Sequence, residues 1–222
     1  MKKIHLAALA AVSLAASAPS FAARLPCQAS GGLVLDGSFE CSDPGNGNYT
    51  INRDNPYWTV TDVAGDGVEF RDNIAGTAQL GSTYVELDAN HNVTISQAIQ
   101  TTVGQSYTFS FWYSDRLGQP AATNGLSFSV DGGLHDGQPL SGGIVGGTNN
   151  SSDNQWQLYS TTFVATSSST TLSFTGTGTS DSLGTSLDNV SVNVSPVPEP
   201  ATMGLMASGL ALLGLARRRQ SR

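Results

Sequence analysis

Residues 107–114 read Tyr-Thr-Phe-Ser-Phe-Trp-Tyr-Ser. Successive side chains of an extended strand point to opposite sides, so Tyr107, Phe109, Phe111 and Tyr113 share one face while Thr108, Ser110, Trp112 and Ser114 share the other. The first is a core face, and the second is polar apart from one tryptophan. The same alternation runs through Leu126, Phe128 and Val130 about Ser127 and Ser129, and through Val85 and Leu87 about Tyr84, Glu86 and Asp88. It recurs in Leu172 and Phe174 about Ser173, and Leu187, Val190, Val192 and Val194 close the series. Clusters of Gly, Asn, Asp and Ser separate these runs, and no segment between residues 23 and 195 keeps a helical period over three turns. About nine or ten short strands joined by glycine-rich turns predict an all-β fold, an antiparallel β-sandwich of the jelly-roll kind.

Both ends of the 222-residue chain are different in kind. Lys2 and Lys3, an apolar run from Ile4 to Ala16 and the small-residue end Ser20-Phe21-Ala22 read as a secretory signal peptide over residues 1–22. Export then uses the Sec machinery and signal peptidase, and the mature domain covers residues 23–195. Residues 196–222 open with Pro196-Val197-Pro198-Glu199-Pro200, continue from Ala201 to Ala216 without a charge, and reach Arg217-Arg218-Arg219. A helix of these sixteen residues spans about 24 Å, shorter than a hydrocarbon core of about 30 Å, and inserts if the arginines snorkel to the interface. Arginines after an apolar run favour a cytoplasmic end. The segment therefore predicts inner-membrane anchoring by one transmembrane helix, with the domain outside.

The net charge of −7 is a sum over these parts. All but one of the 17 acids lie between residues 23 and 195, against only Arg24, Arg53, Arg71 and Arg116 of the 10 basic residues, which leaves 4 minus 16, or −12, and no lysine. Phosphate binding needs clustered Lys and Arg, so nucleic acid is excluded as a partner. Neutral glycans or divalent cations suit such a surface better.

Two resemblances follow from particular residues. Pro198-Glu199-Pro200, the short apolar segment and the terminal Arg217, Arg218 and Arg219 resemble the PEP-CTERM sorting signal. The resemblance implies recognition by an exosortase that cuts near the Pro-Glu-Pro, so that anchoring is transient, and a place at the cell surface or in the extracellular matrix; the other reading is a permanent tail anchor of the same topology. Leu35-Asp36-Gly37-Ser38-Phe39-Glu40, Trp58, Tyr84 to Asp88, Gln97 to Thr101 and Leu187 to Val192 resemble galactose-binding-like jelly rolls, found in non-catalytic carbohydrate-binding modules and DUF642-type proteins. In that family the first and last strands lie side by side, often with a structural Ca²⁺ between them, and the matching acids are Glu40 and Asp188. Ca²⁺ takes six to eight oxygen ligands, so two distant acids can pin two chain ends. The other reading of Asp188-Asn189 is a turn or bulge entering the last strand.

Cys27 and Cys41 are the only cysteines. An even count in an oxidising compartment predicts a disulfide, and closing a loop of about fifteen residues contributes roughly 3 kcal/mol in the chain-entropy model.

Catalytic residues are not evident. His91 and His135 sit in polar loops without a nucleophile elbow or a zinc-binding helix, and Glu69 with Glu86 is a glycosidase-like pair that so many acids produce by chance. A carbohydrate site is the better expectation, with Trp112 as a flat apolar platform, Tyr84, Glu86 and Arg116 fixing hydroxyls, and Trp58 at the rim. The alternative is a structural exopolysaccharide or biofilm matrix protein without a specific ligand. A glycoside hydrolase is the weaker third reading.

Overall fold

A computed structural model of the protein describes residues 32–196 except 46, 62–64 and 66. The expected signal peptide, Cys27 with its expected bridge to Cys41, and the sorting segment from residue 197 lie outside the described residues. Eleven strands appear: β1 (Tyr49–Asn52), β2 (Thr59–Thr61), β3 (Val68–Asp72), β4 (Thr83–Glu86), β5 (Thr94–Gln100), β6 (Ser106–Ser114), β7 (Gly125–His135), β8 (Gln138–Val145), β9 (Gln157–Ala165), β10 (Ser169–Gly176) and β11 (Ser186–Val194). Among the described residues the only helical pieces are two 3₁₀ turns, Glu40–Ser42 and Ala121–Thr123, and no helix is long and apolar enough to cross a membrane.

Every ladder between strands is antiparallel, in the order β1-β3-β4-β11-β6-β9-β7-β10-β5-β2 with β8 on the far side of β7. Strand β7 serves two neighbourhoods. Its residues 125–130 pair with β8, those from Leu126 to Asp131 pair with β10, and after an irregularity between Val130 and Leu134 its Gly133 and Leu134 pair with Ala165 and Val164 of β9. Such irregularities bend a strand and sharpen its twist, and here the bend curls one sheet back on itself into a sandwich.

The inner faces meet through aromatic rings. Phe109 and Phe111 of β6 lie 5.0–6.0 Å, centroid to centroid, from Phe128 of β7 and Phe174 of β10. Burial of each such side chain contributes about 1.5–3 kcal/mol. Trp58 belongs to this core: it is 1% exposed, its ring lies 5.6 Å from Phe39 and 6.2 Å from Phe174, and its Nε1 donates to the Asp36 carbonyl at 3.1 Å. The rim position expected for Trp58 is therefore corrected. An apolar ring with one polar handle satisfied internally has no reason to face solvent.

The three-residue step from Leu187 to Val190 is a bulge. Register passes from Asp188 opposite Trp112 to Ser191 opposite Ser110, and Asn189 takes the left-handed conformation at φ 48°, so Leu187 and Val190 are both fully buried. The stretch before Glu40 runs along this bulge. Leu33 N–H donates to the Val192 carbonyl and Val190 N–H to the Gly37 carbonyl, each at 2.8 Å. A Cβ on Gly37 would stand 2.0 Å from the Val190 oxygen, so this approach requires glycine.

Candidate functional site

Strands β3 and β4 turn Phe70 and Val85 inward and Glu69, Arg71, Tyr84 and Glu86 outward. The register sets Glu69 opposite Glu86 and Arg71 opposite Tyr84, so charged side chains meet across the ladder. Arg71 Nε donates to Glu69 Oε1 at 2.7 Å and its Nη2 pairs with Glu86 Oε2. Arg116, just past β6, donates through Nη1 to that same Glu86 oxygen at 2.6 Å, and Gly184 N–H donates to Glu86 Oε1 at 2.6 Å. A buried charge is tolerated only when paired and hydrogen-bonded. Burial raises Glu86 to about 8 against the pull of Arg71. Burial pulls the Arg71 guanidinium down, and the carboxylates of Glu86 and Glu69 more than reverse that.

Above this cluster lies a pocket of about 320 Å³, whose lining includes Tyr49, Glu69, Arg71, Ile74, Asn90 and Arg116. The side chains of Arg71 and Arg116 are 4% and 15% exposed, whereas Tyr49 on β1 stands 57% exposed at the edge. Arg71 Nη1 is buried and makes no hydrogen bond. A second hollow of about 520 Å³, between the Ala121–Thr123 turn and β8, has no charged side chain in its lining.

Of the five residues expected at a carbohydrate site, only Arg116 lines the pocket. Tyr84 and Glu86 are buried, not displayed on an open polar face as expected. The loop between β3 and β4 covers Tyr84: its hydroxyl donates to the Ile74 carbonyl, its ring meets Trp156 edge-on at 5.7 Å, and Trp156 Nε1 donates to the Thr77 carbonyl at 2.9 Å. Glu86 lies beneath the arginines, paired with both and outside the pocket lining. Trp112 is half-buried on the same outer face, opposite Asp188, but outside the pocket lining. Sequence reasoning passed over Tyr49 and Arg71 and weighed Glu69 only as a catalytic acid. The signal was there: Glu69 and Arg71 flank Phe70, so period-two alternation puts both opposite a core residue.

Glu40 and Asp188 grip one loop from two sides. Glu40 Oε1 accepts from the Ser82 and Thr83 N–H groups at 2.9 and 2.7 Å, and Oε2 accepts from the Ser82 hydroxyl. Asp188 Oδ2 accepts from the Gln79 and Leu80 N–H groups at 2.8 and 3.0 Å, and Oδ1 accepts from Asn189 N–H. Burial raises Asp188 to about 8 despite these bonds, with the Glu40 charge adding to the rise. Calcium sites are built from converging carboxylate and carbonyl oxygens; here both carboxylates face donors, and no group of three or more His, Cys, Asp or Glu able to hold a metal occurs among the described residues. Both carboxylates are engaged as acceptors that tie the loop between β3 and β4 to the chain.

A family model described as "Protein of unknown function (DUF642)" matches residues 32–193, and one described as "PEP-CTERM protein-sorting motif" matches residues 196–220. No curated protein matches the chain. Among solved structures, one described as CBM4 is 15% identical with a TM-score of 0.43, over 73% of this chain and 99% of that one. TmCBM61 in complex with beta-1,4-galactotriose is 14% identical with a TM-score of 0.39, over 75% of this chain and 100% of that one. The K1 cleaved adhesin domain of Lys-gingipain from Porphyromonas gingivalis is 12% identical with a TM-score of 0.45, over 68% of this chain and 100% of that one.

Proposed function

Since the chain belongs to the DUF642 family and carries a PEP-CTERM sorting motif directly after that domain, we propose that it is an exosortase-sorted surface protein whose β-sandwich binds extracellular polysaccharide without cleaving it. The motif supports export and surface targeting. Its apolar segment anchors the protein transiently before exosortase acts.

The observation that carries the binding role is the pocket beside Tyr49, floored by an arginine held rigid on two carboxylates. A sugar ring needs a flat apolar wall and a few fixed polar groups for its hydroxyls. Tyr49 offers the wall, while Arg71, Glu69 and Asn90 offer the polar groups. Hydrolysis would need one carboxyl to give a proton to the glycosidic oxygen and a second to act on the anomeric carbon. Glu86 is fully buried with donors on both oxygens, so it is not available as the second acid beside Glu69, and no other acid lines the pocket among the described residues.

A glycan array with the exported protein tests this reading, comparing wild type with Tyr49→Ala. Binding that falls at least tenfold in the variant is expected. An array without binding removes the carbohydrate role and leaves that of a matrix building block. Intact mass of the exported protein reports on sorting: a C-terminus still carrying Arg217 to Arg219 would contradict processing.

A further inference from the structure

We propose that the Arg71 pocket recognises an acidic sugar, a uronic acid residue whose carboxylate accepts hydrogen bonds from Arg71 Nη1 and from Arg116. The inference rests on the carbohydrate-binding reading and names the ligand class.

A guanidinium carries five N–H donors and no acceptor. In Arg71, Nε is used by Glu69 and Nη2 by Glu86, while Nη1 is buried without a hydrogen bond, and Arg71 is among the residues that line the pocket. A buried donor left unpaired keeps its full desolvation penalty, so the group that completes this site is an acceptor. Arg116 lines the same pocket and is tied to the same oxygen of Glu86, which brings both guanidiniums to one floor and fixes them before a ligand arrives. Preorganised donors lose little freedom on binding.

A hydroxyl presents one oxygen and brings a proton that needs an acceptor of its own, which neither guanidinium can be. A carboxylate presents two oxygens and no proton, and charge-assisted bonds to guanidinium are about twice as strong as neutral ones. Glu69 is the one acid among the described residues that line the pocket, and its Oε1 already accepts from Arg71. Glu86 lies behind the arginines and outside the lining, so two positive groups and one negative one face the pocket. The overall acidity of the domain favours neutral glycans, but fields from distant charges are screened beyond about 8–10 Å at physiological salt. The pocket floor governs contact. Tyr49, Ile51 and Ile74 supply apolar surface for the ring.

Calorimetric titration of the exported protein with oligogalacturonate, oligoglucuronate and oligomannuronate, each beside its carboxyl-reduced neutral counterpart, tests the inference. At least one acidic oligomer should bind tenfold or more tightly than its neutral partner, acetate alone should not bind, and Arg71→Gln and Arg116→Gln should each abolish the preference. Should Arg71→Gln fail to fold, Arg116→Gln and Tyr49→Ala read the same site. Equal binding of acidic and neutral oligomers overturns the acidic-sugar inference but leaves carbohydrate binding standing. Acid preference that survives Arg116→Gln overturns the site, acetate binding as tight as the oligomers overturns the sugar, and no binding by any oligomer or on the array removes the carbohydrate reading itself.

Discussion

Arg116 Nη1 lies 2.6 Å from Glu86 Oε2, the oxygen that also pairs with Arg71, so one buried carboxylate holds two arginines from separate parts of the chain. Removing one member of a buried pair costs about 3–5 kcal/mol because the other charge stays buried alone. Glu86→Ala should lower stability by about that much in urea unfolding and weaken glycan binding with it. Glu86→Gln should cost less, since its amide oxygen still accepts. Full stability in Glu86→Ala would mean that the arginines do not depend on it.

Acid should stabilise this domain. Burial raises Asp36 to about 6, and Glu86 and Asp188 to about 8, from ordinary values of 3.8 to 4.5. Between about pH 4 and 8 the folded protein thus binds protons that the unfolded chain has released, and stability falls as pH rises wherever the folded state binds more protons. The contribution is fully present below the unfolded values and gone above about pH 8. Melting at pH 5.5 should come later than at pH 8.5, by about 2–4 °C for each kcal/mol gained. Equal or reversed midpoints would contradict the three raised carboxyls.

The tryptophans should separate. Trp58→Ala empties a core site and should cost about 3–5 kcal/mol. Trp112→Ala, on the outer face, should cost about 1 kcal/mol or less and leave glycan affinity unchanged. A large loss of affinity in Trp112→Ala would move the binding site from the pocket to the face of β6.

Glu40 and Asp188 should act without metal. Melting curves with excess Ca²⁺ and with chelator should coincide, while Asp188→Ala should destabilise by releasing the Gln79 and Leu80 N–H groups, at about 1–3 kcal/mol for buried donors left unpaired. A midpoint raised by Ca²⁺ and lowered by chelator would restore the calcium reading.

Strands with strict alternation were legible: 107–114, 126–130 and 172–174 all lie within strands whose inner residues are buried, Tyr113 only partly. Strand β8 was not, because Pro139, Gly142 and Gly143 strip it of side chains that mark a face. The site was half legible. Arg116 was recognisable as a charge ending an apolar strand, but period two says only which residues point outward. It cannot say that the loop between β3 and β4 folds over Tyr84 while leaving Tyr49 bare, since loop placement depends on contacts such as Thr77 with Asp153 and Trp156, remote in sequence.

The position of β11 has a consequence for the order of events during export. It is the last strand among the described residues, yet it lies between β4 and β6, so until Ser186 to Val194 arrive, both neighbours keep unpaired edges and the domain stays open. The sorting motif begins at residue 196, two residues beyond the end of that strand. Closure of the fold and delivery of the sorting signal therefore fall at nearly the same moment, and a chain cut short before Ser186 would lose the signal and the strand that seals the sheet together.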